Sequence, residues 1–507
     1  MRSKKALFNV ISSLALQIVV VICGFIVPRL LIGTFGSSVN GVVTSISQFL
    51  GYITLLESGV GGVVRAALYK PLAQKNTKSI SGIIKATESF FRKIAIIYII
   101  YSLLVAAFLP YVVRHDFDWV FVASLVLIIS LSTFVQYYYG ITYQMLLQAD
   151  QKKYITSLLQ IFTTIANTIV VVFLVRLGAS IHLVRLGSAA IYVIRPLALN
   201  FYVKRTYELD QACPADNHAI NQRWDGLGHH IAYFLHRHTD VAVLTLFTNT
   251  RLVSVYSVYY MVVSGIEKIT ATFSSGLEAA FGNMIANNEV KSLNRNFRLF
   301  EFVSFAITTS LFTSTAVLVL SFVAVYTKGV TDVNYHRPLF AYTLIAAEAI
   351  YCIRIPYHSV TLAAGHYKQT RNGAFAEAII NIVLSVSLVK PLKLEGVAIA
   401  TFCAMLYRTI QYALYISKQI LKRSMGIFYQ RCLVNIAASA ITIKAAGLLP
   451  VITINSYGSW LIYAVEVTLI ALMVTFAINT VIYFKDAKSL LQLIKRLITR
   501  KAGKMHA

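Results

Sequence analysis

Charged residues are scarce in this sequence, and long polar stretches are missing. Only 13% of the 507 residues are charged and 57% are hydrophobic, whereas soluble proteins average about a quarter charged. The mean hydropathy is +0.68, and the apolar residues are spread over the whole chain. This composition excludes an ordinary soluble enzyme and predicts an all-α integral membrane protein.

The sequence also lacks the usual motifs of metal, disulfide and nucleotide sites. Its five cysteines lie far apart, so neither a disulfide framework nor a CxxC metal site is indicated. The histidines between His229 and His238 have no HExxH pattern, and the chain has no Walker A sequence. We therefore expect no metal, no bound cofactor and no ATP hydrolysis by this chain.

Apolar runs of about 20 residues, the length that crosses a bilayer, recur about fourteen times. They cover residues 9–33, 39–63, 93–113, 120–147, 154–177, 182–203, 229–249, 252–284, 300–326, 338–363, 371–390, 395–417, 428–449 and 458–484. The first run follows a basic segment but is too long for a signal peptide, so we expect it to be a retained transmembrane helix.

Lysine and arginine outnumber aspartate and glutamate by 46 to 20, which gives a net charge of +26. If the N-terminus is cytoplasmic, most basic clusters fall in cytoplasmic loops, for example at 70–93, 291–298 and 418–431. The positive-inside rule then predicts an even number of spans with both termini cytoplasmic. This topology explains most of the basic excess, so we expect no nucleic-acid partner.

An internal repeat becomes visible when the chain is shifted by about 214 residues, which places the second predicted helix on the eighth. We predict two six-helix bundles as parallel pseudo-repeats, followed by two further helices. The predicted divisions are an N-terminal bundle at 1–205, a cytoplasmic linker at 206–228, a C-terminal bundle at 229–420, the last two helices at 421–484 and a basic tail at 485–507.

Several charged residues lie inside the predicted spans, where a charge at the bilayer centre costs at least about 2.5–3.5 kcal/mol. The basic ones are Arg29, Arg65, Arg195, Arg237, Lys268, Arg354, Arg408 and Lys444. The acidic ones include Glu57, Asp240, Glu267, Glu348, Glu377 and Glu466. Such residues usually face a protein interior or a watery cavity, so they indicate a polar passage.

Polar residues also form stripes along several predicted helices. His229, Tyr233, His236 and Asp240 fall on one helical face with Arg237 beside them, and similar stripes contain Glu267 with Lys268, Arg354 with His358, and Gln136 with Tyr139. Arginine forks match phosphates and aromatic faces stack on sugars, so these stripes favour an anionic, sugar-containing ligand. Three structural alternatives stay open: an Arg237–Asp240 pair, snorkelling of Arg29 and Arg65, and pairing of Arg354 or Arg408 with Glu377 or Glu466.

Three stretches resemble one family of transporters: "IVPRLLIGTFGSSVNGVV" in the first helix, "LLESGVGGVVRAAL" in the second and "HTDVAVLTLF" in the seventh. With its two six-helix halves and added pair, the whole chain is similar to the bacterial polysaccharide flippases of the Wzx type. These belong to the superfamily that includes the MATE drug exporters and the lipid II flippase MurJ. The motifs are diffuse patterns of Gly, Arg and Asp in apolar helices.

The resemblance implies a transporter, not an enzyme, that flips an undecaprenyl-pyrophosphate-linked oligosaccharide from the inner to the outer leaflet. It implies the bacterial cytoplasmic membrane, alternating access through a cationic central cavity, and a proton or sodium gradient as the candidate energy source. The implied partners are the lipid-linked glycan and membrane lipid, with a polysaccharide polymerase and glycosyltransferases as candidate protein partners. In the lipid II relative the last two helices shape a groove for the lipid tail, and here those helices carry Lys444 and Glu466.

The predicted substrate-binding residues are Arg29, Arg65, Arg237, Arg354, His236, His358, Lys268 and Tyr139. The predicted ion-coupling residues are Asp240, Glu267 and Glu57. By position in the family pattern, Arg29 follows the proline of the first helix, and Asp240 matches the aspartate of the seventh. Glu57 and Arg65 take the acidic and basic places of the second helix.

Two other functions remain open. An ion-coupled small-molecule exporter of the MATE kind would share the fold, although cationic drugs prefer cavities lined by carboxylates. A membrane polysaccharide polymerase or glycosyltransferase could use the Asp-x-Asp pattern of Asp116 and Asp118 in "HDFDW". That segment is a short predicted outer loop with no sizeable outer domain beside it, so an ordinary turn is favoured.

Overall fold

The computed structural model describes residues 2–57, 59–210, 212–224, 238–274, 278–449 and 454–492. These residues are almost entirely helical, without a β-strand among them. They include eleven helices that are long and apolar enough to cross a membrane. The chain is therefore an all-α, multi-pass membrane protein, which confirms the fold class predicted from composition.

The chain divides into two compact units. Unit 1 comprises Met1–Ser257 and Gly329–Val333, and unit 2 comprises Val258–Lys328 and Asn334–Ala507. The helices that begin in unit 1 are α1 (Arg2–Gly51), α2 (Val60–Gln74), α3 (Thr77–Val112), α4 (Trp119–Val135), α5 (Ile141–Ala149), α6 (Lys153–Arg176), α7 (Ile181–Thr206), α8 (His238–Phe247) and α9 (Thr250–Ser274). Those that begin in unit 2 are α10 (Glu278–Ala286), α11 (Val290–Tyr326), α12 (Pro338–Ala363), α13 (Tyr367–Gln419), α14 (Gly426–Ala446) and α15 (Tyr457–Ile482).

Two of these helices are interrupted. The 50-residue α1 has a non-helical residue at Gly36 (φ 84°, ψ 169°), and the 53-residue α13 has one at Lys393 (φ 48°, ψ −121°). An unbroken helix of that length would extend about 75 Å, more than twice the ~30 Å hydrocarbon core. Each is therefore two spans. With the shorter α8, the described residues contain the roughly fourteen helices expected from the sequence.

Some helix boundaries differ from the predicted ones. The second predicted span, 39–63, is one helix to Gly51, a 3-10 turn over Tyr52–Glu57 and a new helix from Val60. The turn ends two residues before Gly59, whose φ of 90° favours glycine. In contrast, α3 begins at Thr77 rather than at 93, because Asn76 caps a polar extension that hydropathy does not detect. The backbone is helical well beyond the apolar segment of this sequence.

Two carboxylates from predicted outer loops cap helices that are distant in sequence. Asp116 accepts hydrogen bonds from the backbone amide (3.1 Å) and hydroxyl (2.6 Å) of Thr250, at the start of α9. Asp332 accepts from the amide and hydroxyl of Ser37, both at 2.7 Å, directly after the break at Gly36. Each carboxylate satisfies amides that a helix start leaves unpaired. The two pairs are related by the repeat of about 214 residues.

Small and polar residues allow close helix contacts inside unit 1. A Cβ atom on Gly41 would lie 1.7 Å from the carbonyl oxygen of Thr250, so only glycine fits there. Next to it, the Asn40 amide donates to the hydroxyl of Ser254 at 2.8 Å. Small residues at such crossings let two helix backbones approach closely in a membrane. Close packing is important there because lipid tails are as apolar as the side chains, so the hydrophobic effect does not drive helices together.

Five charged side chains in unit 2 form a network that joins α11 to α14 and to the segment after α15. Glu301 is fully buried and accepts from both Nη atoms of Arg423 (2.5 and 3.0 Å), and its carboxylate forms an ion pair with Nε of Arg431 at 3.0 Å. Arg431 also binds Asp486 at 2.9 Å, and Asp486 pairs with Arg298 at 2.5 Å. Residues far apart in sequence therefore neutralise one another's buried charge.

Substituting Glu301 with Gln tests this network. The change leaves two arginines facing a neutral amide in a buried site, so we expect the free energy of unfolding to fall by about 3–5 kcal/mol. The measurement is the denaturation midpoint of the purified protein in detergent.

The matched control is Glu395→Gln, which removes a carboxylate that is 3.8 Å from Arg337 and more exposed. A partly exposed pair contributes less than about 1 kcal/mol. A loss for Glu301→Gln no greater than that for Glu395→Gln would show that the Glu301 network stabilises unit 2 no more than a partly exposed ion pair does.

Candidate functional site

Unit 1 contains a polar cavity of about 770 Å³. It lies among the 3-10 turn, α2, the junction of α4 with α5, and α7, and His238, at the start of the described part of α8, also faces it. Its charged and amide side chains are Glu57, Arg65, Arg195, Gln136, Gln144 and Gln148. A cavity with this lining inside a membrane-spanning unit is suited to a polar ligand.

A short π-helix over Gln136–Gly140 shapes one wall of this cavity. A π-turn inserts an extra residue and shifts the register of the side chains that follow, and such turns are frequent at functional sites. Gly140 packs tightly in this turn, since a Cβ atom there would lie 2.7 Å from the Cβ of Pro196. The turn presents Gln136 to α7, where its carbonyl accepts from Arg195 Nη2 at 3.2 Å.

The second arginine of the cavity is also held by a neutral amide. Arg65 Nη1 donates to the side-chain carbonyl of Gln148 at 2.8 Å. Neither Arg65 nor Arg195 forms an ion pair within the part of the chain that the structure describes. A guanidinium has five N–H donors, and amide partners leave its charge uncompensated. The two arginines can therefore hold an anion.

Glu57 provides a carboxylate in the same cavity. It ends the 3-10 turn two residues before Gly59, and the hydroxyl of Tyr137 lies beside it. Its Oε2 atom is buried without a hydrogen bond to the described residues. A carboxylate placed in this way can take up a proton or a cation, which is the chemistry predicted for it from the sequence.

Arg354 lies in unit 2 in a different environment. It is buried and pairs with Glu377 at 2.6 Å, and the other carboxylate oxygen of Glu377 lies 3.4 Å from Nε of Arg408. Arg354 also stacks over Tyr351 at 4.7 Å, and Arg408 over Tyr412 at 4.1 Å. The pairing with Glu377 that the sequence left open is therefore present, and the triad keeps one net positive charge.

The other predicted site residues lie in different parts of the structure. Asp240 is buried in unit 1 and accepts from the Tyr256 hydroxyl at 3.0 Å. Arg29 is half-buried on α1, with its guanidinium next to Gly33. Tyr139 is 39% exposed and lines a small pocket beside Arg92 and Tyr138, away from Glu57 and Arg65.

Besides Arg354, unit 2 contains three of the predicted residues. His358 is half-buried, with its ring 5.4 Å from that of Tyr412. Glu267 is buried, and its neighbour Lys268 is exposed. His236 and Arg237 lie outside the described residues, so their roles stay predictions. Of the predicted site residues, Glu57 and Arg65 are brought together in the cavity of unit 1.

Arg195 and three glutamines line the cavity but were not among the predicted site residues. Arg195 stood among the intramembrane charges, but its role depends on the contact with Gln136 across two helices. The usable signal was the recurrence of Gln136, Gln144 and Gln148 in an otherwise apolar segment. Their common direction depends on the π-turn, which the sequence pattern does not reveal.

No protein-family model matches this sequence, and no curated protein matches it either. Solved structures do match. The lipid II flippase MurJ, in an inward closed conformation, superposes with a TM-score of 0.71 at 14% identity and covers 94% of this chain and 99% of its own.

Two MATE structures are also similar. An inward-facing multidrug resistance MATE transporter of the MOP superfamily gives a TM-score of 0.60 at 11% identity, covering 80% of this chain and 98% of its own. The MATE transporter VcmN of Vibrio cholerae gives 0.54 at 15% identity, covering 83% and 98%. This chain therefore has the fold shared by MurJ and the MATE transporters of the MOP superfamily.

Proposed function

We propose that this protein is a transporter that flips a lipid-linked oligosaccharide, carried on undecaprenyl pyrophosphate, from the inner to the outer leaflet of the bacterial cytoplasmic membrane. The observation that carries this proposal is the cavity of unit 1, where Arg65 and Arg195 are held by glutamine amides instead of carboxylates. The flippase fold also matches a larger share of this chain than the MATE folds do. Transport would proceed by alternating access.

The chemistry of the cavity suits the two parts of this substrate. A guanidinium binds phosphate oxygens through two parallel hydrogen bonds, so Arg65 and Arg195 would hold the pyrophosphate or an acidic sugar. Gln144 and Tyr192 provide amide and hydroxyl groups to sugar hydroxyls in the same cavity. Glu57, Asp240 and Glu267 are the proposed sites for coupling to a proton or sodium gradient.

Replacing Arg65 or Arg195 with Gln should reduce export of the surface polysaccharide at unchanged protein levels. Losing a hydrogen bond to a charged group costs about 1.5–3 kcal/mol, so we expect roughly 10- to 100-fold weaker transport for each variant. Export is measured as surface polysaccharide in cells that depend on this chain.

Arg114→Gln is the control, because it removes the same charge from an exposed residue of a predicted outer loop. Normal export by both cavity variants would rule out their role in substrate binding. Resistance of the same cells to cationic drugs distinguishes the MATE-like alternative, which predicts a loss of resistance with intact polysaccharide export.

The enzyme alternative is tested by the two aspartates of "HDFDW". Asp116 caps α9 through Thr250, so Asp116→Ala should lower stability by about 0.5–2 kcal/mol through loss of the cap. Asp118 occupies the N-cap position of α4 without a side-chain cap hydrogen bond. Asp118→Asn should therefore leave both stability and export unchanged in a transporter.

A metal-dependent glycosyltransferase would require both carboxylates, so Asp118→Asn would abolish its activity without changing the amount of folded protein. The readouts are the denaturation midpoint and polysaccharide export measured on the same preparations. Loss of export by Asp118→Asn at a normal midpoint would favour the enzyme.

A further inference from the structure

A second groove, of about 910 Å³, lies between α3 and α7 of unit 1. The groove lies at one end of these two helices, and the positive-inside rule assigns that end to the cytoplasm. Its basic side chains are Lys85, Arg92, Lys93, Lys204 and Arg205, and its acidic side chains are Glu88, Glu208 and Asp210. The groove therefore has an excess of positive charge at the predicted membrane surface.

The helical repeat explains why this groove is basic at one end and apolar at the other. One face of α3 carries Lys85, Arg92 and Ile96, because Arg92 follows Lys85 by about two helical turns and Ile96 follows Arg92 by about one. Beyond Ile96, which is 56% exposed, the outward side chains of α3 are apolar, including Ile100. On α7, Lys204 follows Phe201, which is 68% exposed. Apolar surface thus runs directly into the basic groove on both helices.

The charges of this groove are only partly neutralised by the protein. Lys93, Lys204 and Arg205 are exposed and make no ion pair with any residue that the structure describes. Arg92 pairs with Glu88 at 3.5 Å, one turn away on the same helix, which is a weak and screened interaction. At least three cations are available to an anion.

One wall of the groove is fixed by an ionic contact behind it. Tyr207 lines the groove, and its hydroxyl donates to Asp150 at 2.6 Å; Lys152 pairs with Asp150 at 2.7 Å. Burial raises the pKa of Asp150, but hydrogen bonds from Lys152 and Tyr207 lower it below its ordinary value. Asp150 is thus ionised and occupied by its own partners, so it leaves the groove cations available.

The corresponding stretch of α11 in unit 2 shows how the protein covers such a surface. There Arg298 pairs with Asp486, from the segment after α15, and α11 packs against α14 and α15. Among the described residues, no helix covers α3 of unit 1 in this way. The described residues place three acidic side chains in the α3–α7 groove against five basic ones, so the groove can also bind an anion from outside the chain.

We propose that the α3–α7 groove binds the headgroup of an anionic phospholipid of the predicted cytoplasmic leaflet. The phosphate would lie against Lys93, Lys204 and Arg205, and the acyl chains would lie along the exposed face near Ile96 and Phe201. Basic pockets between membrane helices on the cytoplasmic side are known to bind anionic headgroups. A soluble phosphate would satisfy the cations but not the adjoining apolar surface. This site does not depend on the substrate proposed above.

The test is a lipid titration of the full-length protein, purified in detergent and depleted of lipid. Native mass spectrometry compares binding of phosphatidylglycerol with that of phosphatidylcholine. We expect phosphatidylglycerol to bind more tightly than phosphatidylcholine. The variant Lys204→Gln/Arg205→Gln should bind phosphatidylglycerol about 25-fold more weakly than the parent protein, because each cation removed near the membrane surface costs roughly fivefold in affinity. Inorganic phosphate and pyrophosphate are added as competitors.

The matched control is Lys291→Gln/Arg295→Gln, which removes two exposed cations from α11. These cations are predicted to lie on the same, cytoplasmic side of the membrane as the groove. The control should bind phosphatidylglycerol as the parent protein does. Any one of three results would overturn the proposal. The parent protein could bind the two lipids with equal affinity, the groove variant could bind phosphatidylglycerol as the parent does, or the control variant could lose as much affinity as the groove variant. Displacement of the lipid by phosphate or pyrophosphate at comparable concentration would identify a soluble-anion site instead.

Discussion

A charge inside a membrane protein must be neutralised, hydrogen-bonded or hydrated, and this constraint explains how the arginines of this chain differ from one another. In unit 2, Arg354 and Arg408 share Glu377, and Arg423 and Arg431 share Glu301. In unit 1, the amides of Gln148 and Gln136 hold the arginines of the cavity. Carboxylate partners favour a structural role. Amide partners orient a guanidinium without cancelling its charge, which leaves it able to bind an anion.

The two units therefore use similar residues in different ways. Unit 2 supplies its own counter-charges, including Asp486 from beyond the last membrane helix. Unit 1 leaves cations facing its cavity and, at its predicted cytoplasmic end, the α3–α7 groove. A repeat in sequence gives related helices but does not require related chemistry, because several of the buried charges have partners from distant segments. The functions proposed for unit 1 follow from this difference.

The parts of this structure that follow from local sequence could be predicted, and those that follow from tertiary contacts could not. Apolar run length is enough to identify the membrane class and the number of spans. Glu57 and Arg65 were predicted because they take the acidic and basic places of the second predicted helix in the family pattern. The contact of Arg195 with Gln136 was not predicted, because it needs a π-turn and two packed helices. Asp116 has a sequence typical of a catalytic motif, yet its contacts identify it as a helix cap.

The contact at Gly41 has a consequence for how this protein could change shape. Two backbones meet there with no side chain between them, because the carbonyl of Thr250 occupies the place of a Cβ atom. Hydrogen bonds such as the one from Asn40 to Ser254 stand next to this point. Separation of the two helices at this point would displace no side chain of residue 41, because glycine has none. A single methyl group at position 41 would act as a wedge and hold the two helices permanently apart.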